Sequence, residues 1–223
     1  MIARPTQIDS LWPLLWQATY ETLYIVGITL LLGGILGLLL GLALNVTRAG
    51  GLYANRTASV VLNLVVNFFR PIPFVIFVAA VQPLARVVVG IGIGNRAIIF
   101  ALTLAVMFGT ARIVEQSLVS VQPGVVEAAR AMGASRPRIV RTVLVPEALA
   151  PLILGYTFVF VALVDMTAIA GVIGGGGLGN FALQYGYRQF DTVVTWVTVV
   201  VIVVLVQLGQ LLGNSLARRV QHR

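Results

Sequence analysis

Apolar positions along this chain gather into five long runs, over about residues 19–44, 59–81, 97–121, 151–173 and 192–212. Each approaches the roughly 20 apolar residues that a helix needs to cross a bilayer. The runs predict an all-α integral membrane protein with five transmembrane helices, forming a single domain over residues 1–223. Ahead of the first run, Asp9, Trp12, Pro13 and Trp16 make the residues up to Ala18 too polar to span but suited to the bilayer surface, so a short interfacial segment is expected there. No small-residue cleavage site is evident, and the next run is too long for a signal-peptide core. The first run carries Gly27, Gly33, Gly34, Gly37 and Gly41, and spacing by four among small residues permits close helix contact.

The longest polar interruption is helix-forming and basic. It runs PGVVEAARAMGASRPRIVRTVLVP from Pro123 to Pro146. Pro123 suits a first helical turn, good helix formers follow, and Gly133 suits the position after a helix C-terminus. Ser135 is placed to cap a second helix, with Pro137 in its first turn and Pro146 closing it. A helix, a glycine bend and a helix are therefore predicted. Glu127 and Arg130 are spaced to pair across one turn, which contributes only a few tenths of a kcal/mol when exposed, on the order of 0.2–0.5.

Composition narrows the chemistry. The chain is 59% hydrophobic and 10% charged, with a mean hydropathy of +0.99, values that belong to membrane proteins. It has no cysteine, and its one histidine, His222, lies in the C-terminal tail. No metal site or thiol chemistry is expected, and a hydrolase at membrane depth would lack a histidine base for Ser117 or Ser120. The +8 net charge comes from arginines placed mainly at the ends of apolar runs, which argues for topology and against nucleic acid. One side collects Arg48, Arg56, Arg130, Arg136, Arg138, Arg141, Arg218, Arg219 and Arg223; the other has Arg4, Arg86, Arg96 and Arg188. The excess places the Pro123–Pro146 segment and the C-terminus in the cytoplasm and the N-terminus outside. With no soluble domain expected, anything that powers the chain must be another protein. The N-x-T triplets at Asn45 and Asn55 then fall on the cytoplasmic side and are coincidental.

Within that basic segment, Glu127-Ala128-Ala129, three residues, Gly133, nine residues, Val143, one residue and Val145-Pro146 resemble the EAA loop of ABC importer permeases, which forms their coupling helix. Val143 and Val145 stand where that family usually has Ile and Leu, a small apolar change. FGTARIVEQSL before the loop, ARAMGAS and VPEAL within it, and MTAIAGVIGGGGLG and YGYRQF after it resemble the permeases of methionine-type importers, from about Asn67 to the C-terminus. The resemblance implies a homodimeric pore in the bacterial cytoplasmic membrane, two cytoplasmic ATPase subunits and an extracytoplasmic substrate-binding protein. ATP and magnesium would act in the ATPase, leaving this chain with no cofactor or catalytic residue. It implies ATPase coupling through Glu127, Ala128, Ala129, Arg130, Gly133 and Arg136. Small Ala128 and Ala129 would seat the helix in a partner groove, with arginines meeting acidic residues there. The competing view is an amphipathic helix held to anionic lipid by Arg130, Arg136, Arg138 and Arg141.

Polar residues inside the spans mark a candidate translocation path or gate. Asn63, Asn67 and Arg70 share a helix face, and Arg70 at depth needs a partner, for which Asp165 is the candidate. Arg112 and Glu115, three apart, are expected to pair or snorkel. Met166 and Ile169, beside Asp165, sit among small residues that would suit a narrow pathway, and Met166 adapts its shape readily. Gly174 to Gly179 spells G-x-G-x-x-G after an apolar helix, a weak signal read as a flexible outer loop, with Phe181, Tyr185, Tyr187 and Phe190 as interface aromatics. No Walker A sequence is present, so the chain is not itself the ATPase. Another small amino acid as cargo, and an autonomous channel or carrier, are the competing functions.

Overall fold

The structure is a computed structural model that describes residues 8–172 and 174–221. Arg4, His222 and Arg223 lie outside the described residues, as does Ile173 at the end of the fourth expected span. The regular elements among the described residues are all helices: α1 (Ile8–Thr47), α2 (Arg56–Phe69), α3 (Phe74–Val89), α4 (Asn95–Val119), α5 (Pro123–Ala131), α6 (Arg136–Ile139), α7 (Val145–Glu147), α8 (Leu149–Val172), α9 (Leu178–Phe181) and α10 (Thr192–Gln221). Two π-helical segments, Val140–Leu144 and Ala182–Tyr187, join α6 to α7 and follow α9. Four helices are long and apolar enough to cross a membrane, and five spans result if the bent pair α2 and α3 counts as one.

Three boundaries differ from expectation for identifiable reasons. The interfacial segment and first span form one 40-residue helix. At 1.5 Å per residue it is about 60 Å long, more than an apolar core of roughly 30 Å, and it holds Pro13 inside it, where a proline has no N–H to give the carbonyl four residues back. The second run is not one helix to Val81: α2 and α3 are bent by 109°. Pro71 and Pro73 mark the break: neither has an N–H to donate, and although Arg70 keeps helical angles at φ −58 and ψ −41, Pro73 is extended at φ −56 and ψ 134. The last helix runs nine residues past 212, to Gln221, with Arg218 and Arg219 in its final turn, where cations meet the negative end of the helix dipole.

The chain divides into two compact units. The first, Met1–Leu32, Pro73–Leu104 and Phe160–Gln210, has a core of Ile8, Leu11, Leu15, Ala18, Leu178, Phe181 and Val194. The second comprises Gly33–Ile72, Ala105–Val159 and Leu211–Arg223, with Val114, Leu118, Leu144, Ala148 and Leu152 as one core and Leu52, Ala129 and Ile139 as another.

In the second unit the α1 glycines act through close approach. A Cβ on Gly41 would stand 2.6 Å from the Val114 Cβ, and one on Gly34 would stand 2.8 Å from a Tyr156 ring carbon. Tyr156 also donates its hydroxyl hydrogen to the Gly34 carbonyl at 2.7 Å. Small residues thus let α1 pack directly against α4 and α8, the contact that lipid cannot drive hydrophobically.

Candidate functional site

The predicted helix, bend and helix are present in the second unit. α5 ends at Ala131 with Met132 as its C-cap, and Gly133 adopts φ +76. Gly133 N–H donates to the Arg130 carbonyl at 2.9 Å and Ala134 N–H to the Ala129 carbonyl at 3.1 Å. This 5→2 and 6→1 pair closes a helix by the Schellman arrangement. Its accompanying apolar contact is here too, since Ala134 packs on the cluster that contains Ala129.

Beyond the bend, Ser135 occupies the cap position without a side-chain cap hydrogen bond. Pro146 does not end the second helix; the chain passes through α7 to α8. The π segment explains this passage. Val145 N–H donates to the Val140 carbonyl, five residues back, and this widened turn precedes a proline that lacks an N–H and would crowd a regular α-turn.

The expected coupling residues divide by exposure. Glu127, Ala128 and Arg130 are exposed, and Glu127 and Arg130 do not pair with each other in the structure. Ala129 is instead buried, at 4% exposure, against Leu52 and Ile139. It seats α5 on its own chain and offers nothing to a partner groove. Met132, at 81% exposure, is an apolar group on the outer face that sequence reasoning passed over. Arg136 places its guanidinium 5.3 Å from the Tyr53 ring centroid, a cation–π distance that fixes α6 against the segment after α1. Asn55 caps α2 by accepting from Ala58 N–H at 3.0 Å, and Asn45 is buried.

The path residues are joined differently from expectation. Arg112 pairs with Glu115 and donates to Asn63 Oδ1 and Asn67 Oδ1, each at 2.7 Å. The asparagine face of α2 therefore serves Arg112 on α4 rather than Arg70. Arg70 is exposed, belongs to the second unit and has no side-chain partner; Asp165, in the first unit, is likewise exposed and unpartnered. Met166 and Ile169 are half-buried on α8. An exposed, unpaired carboxylate on a spanning helix is costly against lipid, so Asp165 marks a face turned to water or to protein.

The glycine-rich stretch is anchored in the first unit. Gly176 N–H donates to Asn95 Oδ1 at 2.8 Å, Gly177 N–H to Glu21 Oε2 at 2.9 Å, and Leu178 N–H to Thr22 Oγ1 at 2.8 Å. Three side-chain acceptors hold a segment expected to be flexible. The sequence signal overlooked was Glu21 itself, a carboxylate within the first apolar run. Of the expected interface aromatics, Phe181 is buried, Tyr185 packs beside it, and Tyr187 and Phe190 are exposed at 72% and 83%.

Residues 33–223, which hold α5, the bend and α6 to α10, match the family described as binding-protein-dependent transport system inner membrane component. The chain belongs to that family. Among its relatives, the Vibrio cholerae "Probable D-methionine transport system permease protein MetI" is 43% identical over 94% of this chain and 93% of its own length. The Bacillus subtilis "Methionine import system permease protein MetP" is 41% identical, with 94% of each chain covered. Among solved structures, a chain from inward facing conformations of the MetNI methionine ABC transporter superposes with a TM-score of 0.92 at 39% identity. The match covers 95% of this chain and 98% of that one. A family of transport components and an all-helical membrane fold thus agree with the EAA resemblance.

Proposed function

We propose that this chain is the permease subunit of an ATP-driven methionine importer in the bacterial cytoplasmic membrane. Two copies form the pore, two cytoplasmic ATPase subunits hydrolyse ATP with magnesium, and an extracytoplasmic binding protein delivers the amino acid. The N-terminus is outside and the C-terminus inside.

The observation that carries the reading is the α5, Gly133 and α6 unit. Ala129 and Ile139 clamp its inner side, while Glu127, Ala128, Arg130 and Met132 face outward. A lever must be rigid toward its own chain and exposed toward its driver. The Schellman closure supplies the first property and the outward residues the second. Asp165, Arg70, Asn67, Met166 and Ile169 are assigned to the path or gate, where the unpaired Arg70 and Asp165 would face the second copy or water. The relatives named for methionine, matched over nearly their whole length, support that cargo.

The test is ATP hydrolysis by the reconstituted complex, with binding protein, across a panel of amino acids. Stimulation by methionine above the other amino acids is expected, and no uptake by the chain alone in liposomes. Stimulation by another amino acid but not methionine would replace the cargo. Uptake without the ATPase would replace the importer with a carrier.

A further inference from the structure

Beside the lever, in the second unit, lies a cleft of about 120 Å³ between α5 and the segment that ends α1. Its wall includes Asn45, Arg48, Glu127, Arg130, Leu118 and Val126. A water needs about 10–15 Å³ of such space, and drug-sized pockets begin near roughly 300 Å³, so the cleft suits a small solute and excludes a nucleotide.

Two of its donors are unsatisfied. Asn45 is 5% exposed, and its Nδ2 has no hydrogen-bond partner; neither has the buried Nε of Arg48. Asn45 lies within a continuous helix, so removing its amide from water is a cost that a ligand would offset. The charges are mixed: two guanidinium groups and one carboxylate line the same small space. A simple anion would meet repulsion from Glu127, and a cation would meet two arginines. Leu118 and Val126 supply an apolar wall.

We propose that this cleft binds an α-amino acid zwitterion with an apolar side chain, at a site separate from the assigned path. Its carboxylate accepts from Asn45 Nδ2 and the arginines, its ammonium donates to Glu127, and its side chain lies toward Leu118 and Val126. A bound ligand ties α5 to the end of α1. This proposal stands on the cleft alone and does not depend on the importer reading.

The natural absence of cysteine provides the test. V126C, or V119C if the first variant does not fold, places a single thiol on the cleft wall of the full chain in lipid nanodiscs. Labelling by a maleimide is timed with methionine, leucine, N-acetylmethionine, methioninol or inorganic phosphate present. At least tenfold slowing by methionine or leucine is expected, with little by the other three. Adding N45A or R48A should weaken that protection by about tenfold. Equal protection by phosphate or N-acetylmethionine would overturn the zwitterion, since neither carries the free ammonium. Labelling indifferent to every amino acid would overturn the site, and faster labelling after E127Q would then show that Glu127 folds in to satisfy the donors. Methionine-stimulated ATP hydrolysis, on separate samples, decides the importer reading whichever result is found.

Discussion

Replacing Gly133 separates the bend's conformation from its packing. A Cβ there would meet nothing within 4 Å, so a substitution introduces no collision, and its cost comes from φ +76. Holding an L-residue in the left-handed region costs roughly 1–2 kcal/mol, less for Asn and more for a β-branched residue. At 1.4 kcal/mol per factor of ten, Gly133→Ala should favour the opened bend by about 5- to 30-fold. Opening removes the hydrogen bonds from Gly133 and Ala134 N–H and frees Ala129 from Leu52 and Ile139. The spans are untouched, so membrane insertion should stay normal. In proteoliposomes with the partner ATPase, methionine taken up per ATP hydrolysed should fall in the order Gly, Asn, Ala, Val. If Gly133→Val coupled as well as the wild type, or Asn proved worse than Val, the bend would not be what makes the lever rigid.

Three further outcomes test other contacts. Gly41→Leu would drive side-chain atoms into Val114 and should lower the melting temperature of the purified protein, an overpacking cost of about 1–3 kcal/mol. Arg112→Met leaves Glu115 uncompensated and takes the donor from Asn63 and Asn67. It should cost up to about 3–5 kcal/mol, and adding Glu115→Gln should recover part of the lost thermal stability. Glu21→Ala removes the acceptor of Gly177 N–H, a loss of about 1–3 kcal/mol locally; faster limited proteolysis within the glycine-rich stretch is the measurement. Glu21→Gln, which keeps an oxygen acceptor, should be cut more slowly than Glu21→Ala.

Much of this protein was legible because a spanning helix satisfies its backbone within one segment. Hydropathy alone therefore located α4 and α8 to within two residues and marked where α10 begins. The glycine bend was equally readable, since a left-handed cap is a local preference of one residue. Proline signals were ambiguous: Pro71 and Pro73 break a run, whereas Pro146 is absorbed by a π turn. Both are local chemistry, but the outcome depends on what the neighbouring turns can accommodate. What the tertiary structure alone decided are pairings without a local period. Gly177 and Leu178 meet Glu21 and Thr22 across 156 positions, Tyr156 meets Gly34 across 122, and Arg112 meets Asn63 across 49. The same holds for burial of one alanine and exposure of the next in Glu127-Ala128-Ala129. Which alanine faces its own chain depends on Leu52 and Ile139, residues that no spacing within α5 reveals.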